Sequence, residues 1–523
     1  GQLKQAGIYR KLAALALTMA LAAALGSRWL CAAVVAALAP FPAVPPRGLI
    51  DQVVERQVAT TADRLATGRG WRAARPIAVR VVDRSRMRAA HDAIARAGRP
   101  DAEARDAETL NRLLGLASAA FPGDPLLPSL LSSSPSPSPS PSPSPSPSSP
   151  AVATPSASQP TPAPPGEVSG LYDIASGQLL VASWLDLDAH RFAFTRDVAH
   201  AVLDRRFGLA RWLAATPPTP AAAADSDAAL ARLALATGDA TAQALELEDP
   251  DGTLPPPRVL GEITARARAS LADENAGAAP GVLGQRLFAE LDGLTFVARV
   301  RGRFPWSAVD EIWRRPPRST EQILHPEKYD RAEPPDDVAA RLPQRLRGGW
   351  TARHGDTLGE LGARLFLTRA VGDYRAERAA AGWGGDRALL LSRPARGRRK
   401  TRDVATAGKS DASEKGAKLD QFAVWLTTWD DETDAEDFAA AVVPALAVLA
   451  RGTAVDERPV AGRFRVSDDA GRLYVLECRR RTVGMLVAAP ADAATLLSDL
   501  MAAATGPAAR RAPRPGQARA RSR

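Results

Sequence analysis

The chain has 523 residues, enough for two to four domains and a sizeable buried core. Its net charge of +10 is an effect of two arginine-rich clusters of six charges each, Arg393 to Arg402 and Arg510 to Arg523, so the remainder is close to neutral. No run interleaves basic and aromatic residues as a base-stacking surface would need, and two cysteines, Cys31 and Cys478, rule out a disulfide framework or a CxxC metal knuckle.

Lys4, Arg10 and Lys11 precede a charge-free apolar run from Leu12 to Leu25; Arg28 then interrupts a second run, Trp29 to Ala39. That pattern over residues 1–45 is expected to be a cleaved export signal or an uncleaved membrane anchor. Either one places the rest outside the cytoplasm. From 46 to 131 the order helix, strand, helix, helix is expected, with the strand in "IAVRVVDR", Ile77 to Arg84. Residues 132–165 are almost all Ser, Pro and Ala and predict a disordered tether.

A folded region is expected over 166–505, and a disordered basic tail over 506–523. "GLYDIASGQLLVAS" predicts a hairpin turning at Ala175 to Gly177. A helix holds "FAFTRDVAHAVLDRRFGL", and a second starts at Asp225 or Ser226 and runs to about Glu248. "STEQ", Ser319 to Gln322, predicts a capping box, and Pro326 ends that short helix. Gln421 to Ala441 reads as strand then helix, and "GRFRVSDDAGRLYVLECRR" as a hairpin around Ala470 and Gly471. The fold class is α+β with helices predominant.

An HExxH helix grips zinc because histidines four residues apart stack on one face, while the intervening glutamate activates the metal-bound water. The register in "FTRDVAHAVLDRRFGL" gives Arg196, Asp197, Val198, Ala199 and His200, so one histidine remains. Arginine has no lone pair to give, and cannot replace the other.

With the downstream "DSDAALARLALATGDAT", this stretch resembles a family of bacterial gluzincin-type metallopeptidases carrying "HELTHALQDQHF" and "DSDAALARRALVEGDAT". "GLYD", "RRPPRSTEQILHPEKY", "GWGGDR" and "WLTTWDDETDAEDF" are similar to the same family, and the resemblance spans roughly Gly48 to Ala503 without the Ser/Pro tract. It implies a helix-rich, zincin-like metallopeptidase fold. It also implies that the family's first zinc histidine falls on Arg196, its catalytic base on Asp197, its second histidine on His200 and its third ligand on Thr237.

With three of those four positions changed, the expected function is an inactive peptidase homologue. It would bind peptide or protein in the bacterial envelope without a cofactor, touching the membrane through its N-terminal segment and no specific nucleic acid. Zinc enters only if the site works after all, in an active peptidase with a displaced site. A structural envelope protein is a third reading. Arg196 is expected either to supply the missing positive charge in a cleft, pairing with Asp239 or Asp197, or to point to solvent.

His190, His325 and His354 lack partners at ligand spacing and are expected to be surface or capping residues. Asp186 and Asp188 fit a solvated strand edge, and "GWGGDR" a tight turn. Core packing is expected for most of Trp306, Trp313, Trp383, Trp425 and Trp429.

Overall fold

The computed structural model describes residues 48–72, 75–97, 102–116, 132–133, 170–184, 186–214, 224–249, 251–274, 280–343, 345–394, 419–451 and 462–505. The expected leader, most of the Ser/Pro tract, the loop cluster Arg396 to Arg402 and the basic tail lie outside the described residues.

The first half opens with α1 (Leu49–Gly68), β1 (Ala78–Val82), α2 (Arg84–Ala97) and α3 (Ala102–Leu113), in the expected order. Ser132–Ser133, expected to begin the tether, instead form a short strand, β2. It pairs antiparallel with β3 (Gly170–Asp173), which turns back into β4 (Gln178–Ala182) with Asp173 opposite Gln178. β1 lies parallel to β4, giving a four-stranded sheet ordered β1-β4-β3-β2.

Two long helices follow. The first, α4 (Arg191–Phe207), ends where Gly208 adopts a left-handed φ of 68° and its N–H closes on the Asp204 carbonyl. A short α5 (Leu209–Ala214) and a two-residue β5 (Ala224–Asp225) lead to α6 (Ser226–Glu248), whose N-cap Asp225 accepts a hydrogen bond from the Ala228 N–H at 3.0 Å. Nearly every residue of α6 from Asp227 to Leu245 is buried, so it is the axis of the first core.

Sharing this core are α7 (Pro257–Glu274), α8 (Pro280–Leu287), a π-helical turn (Phe288–Asp292), α9 (Gly293–Arg301) and α10 (Trp306–Arg314), of which the π-turn and α9 pack on α6 itself. Gly238 and Gly293 let the backbones meet at the crossing. A Cβ on Gly238 would lie 2.2 Å from the Gly293 carbonyl carbon, and one on Gly293 would lie 2.1 Å from the Ala234 oxygen.

The "STEQILHPEKY" segment forms α11 (Thr320–Leu324) and α12 (Pro326–Asp330). Pro326 therefore starts a second short helix as well as ending the first. Beyond it lie β6 (Thr351–Thr357), α13 (Gly359–Val371), α14 (Asp373–Ala380), β7 (Trp383–Pro394), β8 (Leu419–Trp429), α15 (Glu432–Leu449), β9 (Arg463–Ser467), β10 (Leu473–Arg479), β11 (Thr482–Ala489) and α16 (Ala494–Thr505).

These strands and β5 build a seven-stranded sheet ordered β5-β6-β7-β8-β11-β10-β9. Its central strands are buried on both faces. Ala423 and Trp425 of β8 join the core under α13 to α15, whereas Phe422, Val424 and Leu426 join the core under α16. "GWGGDR", expected to be a turn, runs into β7, and all five weighed tryptophans are buried. The molecule is α+β, as expected.

Candidate functional site

Helix α4 packs on α6, and α6 packs on the π-helical turn. Arg196, Asp197, His200, Thr237 and Asp239 all lie in these helices, and none is more than 2% exposed. The expected cleft is thus a sealed seam, and Arg196 does not reach solvent.

Arg196 Nη1 stands 3.7 Å from Glu290 Oε2, on the π-turn, with both side chains buried. Glu290 Oε1 also accepts a hydrogen bond at 3.2 Å from Nε of Arg286, one helical turn earlier. A guanidinium therefore occupies the seam as expected, but the carboxylate facing it is Glu290. Nothing in "FAELDGL" marks Glu290 in the sequence, because the meeting depends on how the π-turn crosses α6.

Asp239 is engaged on another side of α6. Its carboxylate accepts from Arg69 Nη1, from Gln243 Nε2 at 3.1 Å and from Trp313 Nε1 at 2.7 Å. Arg69, at the C-cap of α1, also bonds Asp310 and has its guanidinium carbon 4.5 Å from the Trp71 ring centre and 4.4 Å from that of Trp306. Asp239 is thus an anchor for the first helix. The Asp197 carboxylate is seated against β3, where a Cβ on Gly170 would come within 2.4 Å of it.

His200 is fully buried, and neither ring nitrogen has a hydrogen-bond partner among the described residues. Burial, and secondarily the Arg196 charge, push its pKa down to about 3, so the ring is neutral at physiological pH. The Thr237 and Thr241 hydroxyls are likewise buried without a partner among the described residues.

As a zinc site these residues fit poorly. Apart from the Asp197 carboxylate, which is seated against β3, they offer one imidazole and two hydroxyls, with a fixed positive charge where the first ligand would stand. Among the described residues no three His, Cys, Asp or Glu side chains converge as a metal site would require.

A second buried polar cluster joins the two halves. Thr320 donates through its N–H (2.9 Å) and its hydroxyl (2.5 Å) to Asp227 Oδ1, and its hydroxyl accepts from the Leu361 N–H at 3.2 Å. Asp386 accepts from the N–H groups of Leu358 (3.0 Å) and Gly359 (2.8 Å) and from Trp383 Nε1 (3.1 Å). The Lys328 ammonium bonds both Glu321 and Asp430, and His325 Nε2 meets Glu360 Oε1 at 2.8 Å.

The Ser319 hydroxyl accepts from the Gln322 N–H as expected, but the Gln322 carboxamide reaches the Arg318 N–H and the Glu333 carbonyl instead of closing the box. Burial raises Asp225 to about 6, and Glu321 and Asp386 to about 7. The hydrogen bond to Glu360 raises His325.

Of the other histidines, His190 turns its Nδ1 to the Asp186 carbonyl at the start of α4, whereas His354 is buried in β6 and not at the surface. Asp186 folds a turn rather than a strand edge, its carboxylate accepting from the Asp188 and Ala189 N–H groups. At another surface, Ile50, Val53 and Val54 of α1, Val81 of β1, Val181 of β4 and Leu187 line an apolar groove of about 230 Å³. Ile50 and Val53 are exposed there.

Residues 344–498 match the family model described as Domain of unknown function (DUF8575). The match takes in β6 to β11 and leaves α4 and α6 outside. No curated protein and no solved structure matches the chain.

Proposed function

We propose that this chain is a zincin-like metallopeptidase homologue that has lost its hydrolytic centre and works outside the cytoplasm as a peptide-binding module. The observation that carries the reading is the Arg196–Glu290 pair, sealed in the seam beside His200. A protonated guanidinium can neither ligate zinc nor take a proton from water, and its charge repels a cation from the one histidine left. Asp197 has no metal-bound water to act on, and in any case lies against β3.

Binding is assigned to the apolar groove beside β1, which is an outer strand of its sheet among the described residues. Aliphatic walls suit alternate side chains of an extended peptide, and an outer strand offers backbone groups to pair with it. The export reading of residues 1–45 accounts for the location.

The test is run on the full chain, dialysed against zinc and then tested for metal content, peptide hydrolysis and binding of a labelled valine-rich peptide. Expected are no stoichiometric zinc, no chelator-sensitive turnover, and binding lost on Ile50→Asp or Val53→Asp. Stoichiometric zinc with turnover abolished by a chelator overturns the loss of activity. Binding unchanged by both groove substitutions overturns the assignment of the groove.

A further inference from the structure

The seam contains more hydrogen-bonding capacity than the protein itself uses. Both ring nitrogens of His200, the hydroxyls of Thr237 and Thr241, and Glu290 Oε2 have no hydrogen-bond partner among the described residues, and none of these side chains is more than 1% exposed. They come from α4, α6 and the π-turn, and α6 packs on both of the others. His200 sits one turn beyond Arg196 on the same face of α4, and Arg196 stands 3.7 Å from Glu290. Thr237 and Thr241 are one turn apart on α6 and flank Gly238, which touches Gly293 just after the π-turn that carries Glu290.

A buried polar group left dry is destabilising, and the two ring nitrogens and two hydroxyls have not even an ion pair to offset that cost. The groups must therefore be bonded to something small. A neutral imidazole offers one donor and one acceptor, a hydroxyl offers both, and a carboxylate oxygen accepts. Arg196 and Arg286 both face the one Glu290 carboxylate, so a surplus of fixed positive charge repels a metal ion. The remaining mixture of donors and acceptors matches water, which makes about three hydrogen bonds at such sites.

We infer that the seam between α4, α6 and the π-turn is a resident-water site, in which ordered water bridges His200, Thr237, Thr241 and Glu290. The residues that in a peptidase would surround a metal and its water would here keep water alone.

The experiment is an atomic-detail crystal structure of the full chain, with water-oxygen relaxation dispersion counting long-lived internal waters in the wild type and in Thr237→Val. The expected result is ordered water within hydrogen-bonding distance of His200 and Thr237. Thr237→Val should then lose at least one long-lived water and lower Tm by about 2 °C, the shift that roughly 1 kcal/mol produces in a large domain. A dry seam, with the threonine hydroxyls turned back to helix carbonyls and Thr237→Val raising Tm, overturns the inference. So does density for a metal ion or an anion in place of water. Because relaxation dispersion on the wild type alone must already report slow internal water, a variant that fails to fold leaves the test intact.

Discussion

The seam around His200 and the joint around Thr320 are both buried and both rich in ionisable groups, yet they treat those groups in opposite ways. In the joint each carboxylate receives at least one aimed donor: Thr320 on Asp227, two backbone N–H groups on Asp386, Lys328 between Glu321 and Asp430. In the seam the imidazole and two hydroxyls receive none from the described residues. A network of direct, short bonds fixes both the type and the length of every side chain in it. A seam closed by solvent fixes only size and polarity. The joint thus constrains its sequence one residue at a time, whereas the seam leaves the identity of its residues freer.

Substitution at Gly359 breaks the joint most severely. Its φ is +74°, and an added Cβ would fall 1.7 Å from Asp227 Oδ1 and 2.8 Å from the Thr320 hydroxyl. Gly359→Ala therefore combines backbone strain with a clash on the carboxylate that ties α6 to α11. A loss of at least about 4 kcal/mol is expected, in the range where folding itself fails, and urea denaturation or soluble yield would report it. A variant within 1 kcal/mol of wild type would mean that the joint yields as easily as the seam.

Removing a single charge from each cluster sharpens the contrast. Lys328→Met strands Glu321, which is 3% exposed, and should cost about 3 kcal/mol. Glu290→Gln leaves Arg196 and Arg286 facing an amide. Because the Arg196 contact is 3.7 Å and not a hydrogen bond, and because water can reorient to serve an amide, about 2 kcal/mol is expected. The two values come from denaturant curves on the single variants. Equal losses would remove the distinction between aimed and solvent-mediated bonding.

How much of this was legible in the sequence follows the same division. The hairpin turning after Asp173, the N-cap at Asp225 and the Ser319 cap were readable because each depends on residues a few positions apart. The full extent of the seven-stranded sheet was not readable: β7 and β11 are buried on both faces and lack the alternation that reveals a strand. The partner of Arg196 could not be read at all. Glu290 is 94 positions away, on a π-turn that only the Gly238–Gly293 crossing brings into place.

Acid should separate the two regions, because their pH dependences oppose each other. In the joint, Asp225, Glu321 and Asp386 titrate near 6 to 7 when folded and at ordinary carboxylate values when unfolded. Between about pH 4 and 7 the folded state therefore holds more protons, so stability is greatest at the acid end and is lost as pH rises. For His200 the sign reverses. Its folded value is about 3 against 6.5 unfolded, so the unfolded chain takes up the proton first, and stability present above pH 6.5 is lost as pH falls. The two slopes partly cancel in the wild type. His200→Leu deletes the seam's share, so the variant should gain more stability than the wild type on going from pH 6.5 to pH 4, whatever its absolute stability. The slope, taken from urea midpoints across that range, is what the seam controls. Parallel curves for the two proteins would place a proton, and hence solvent-like surroundings, on His200 in the folded state.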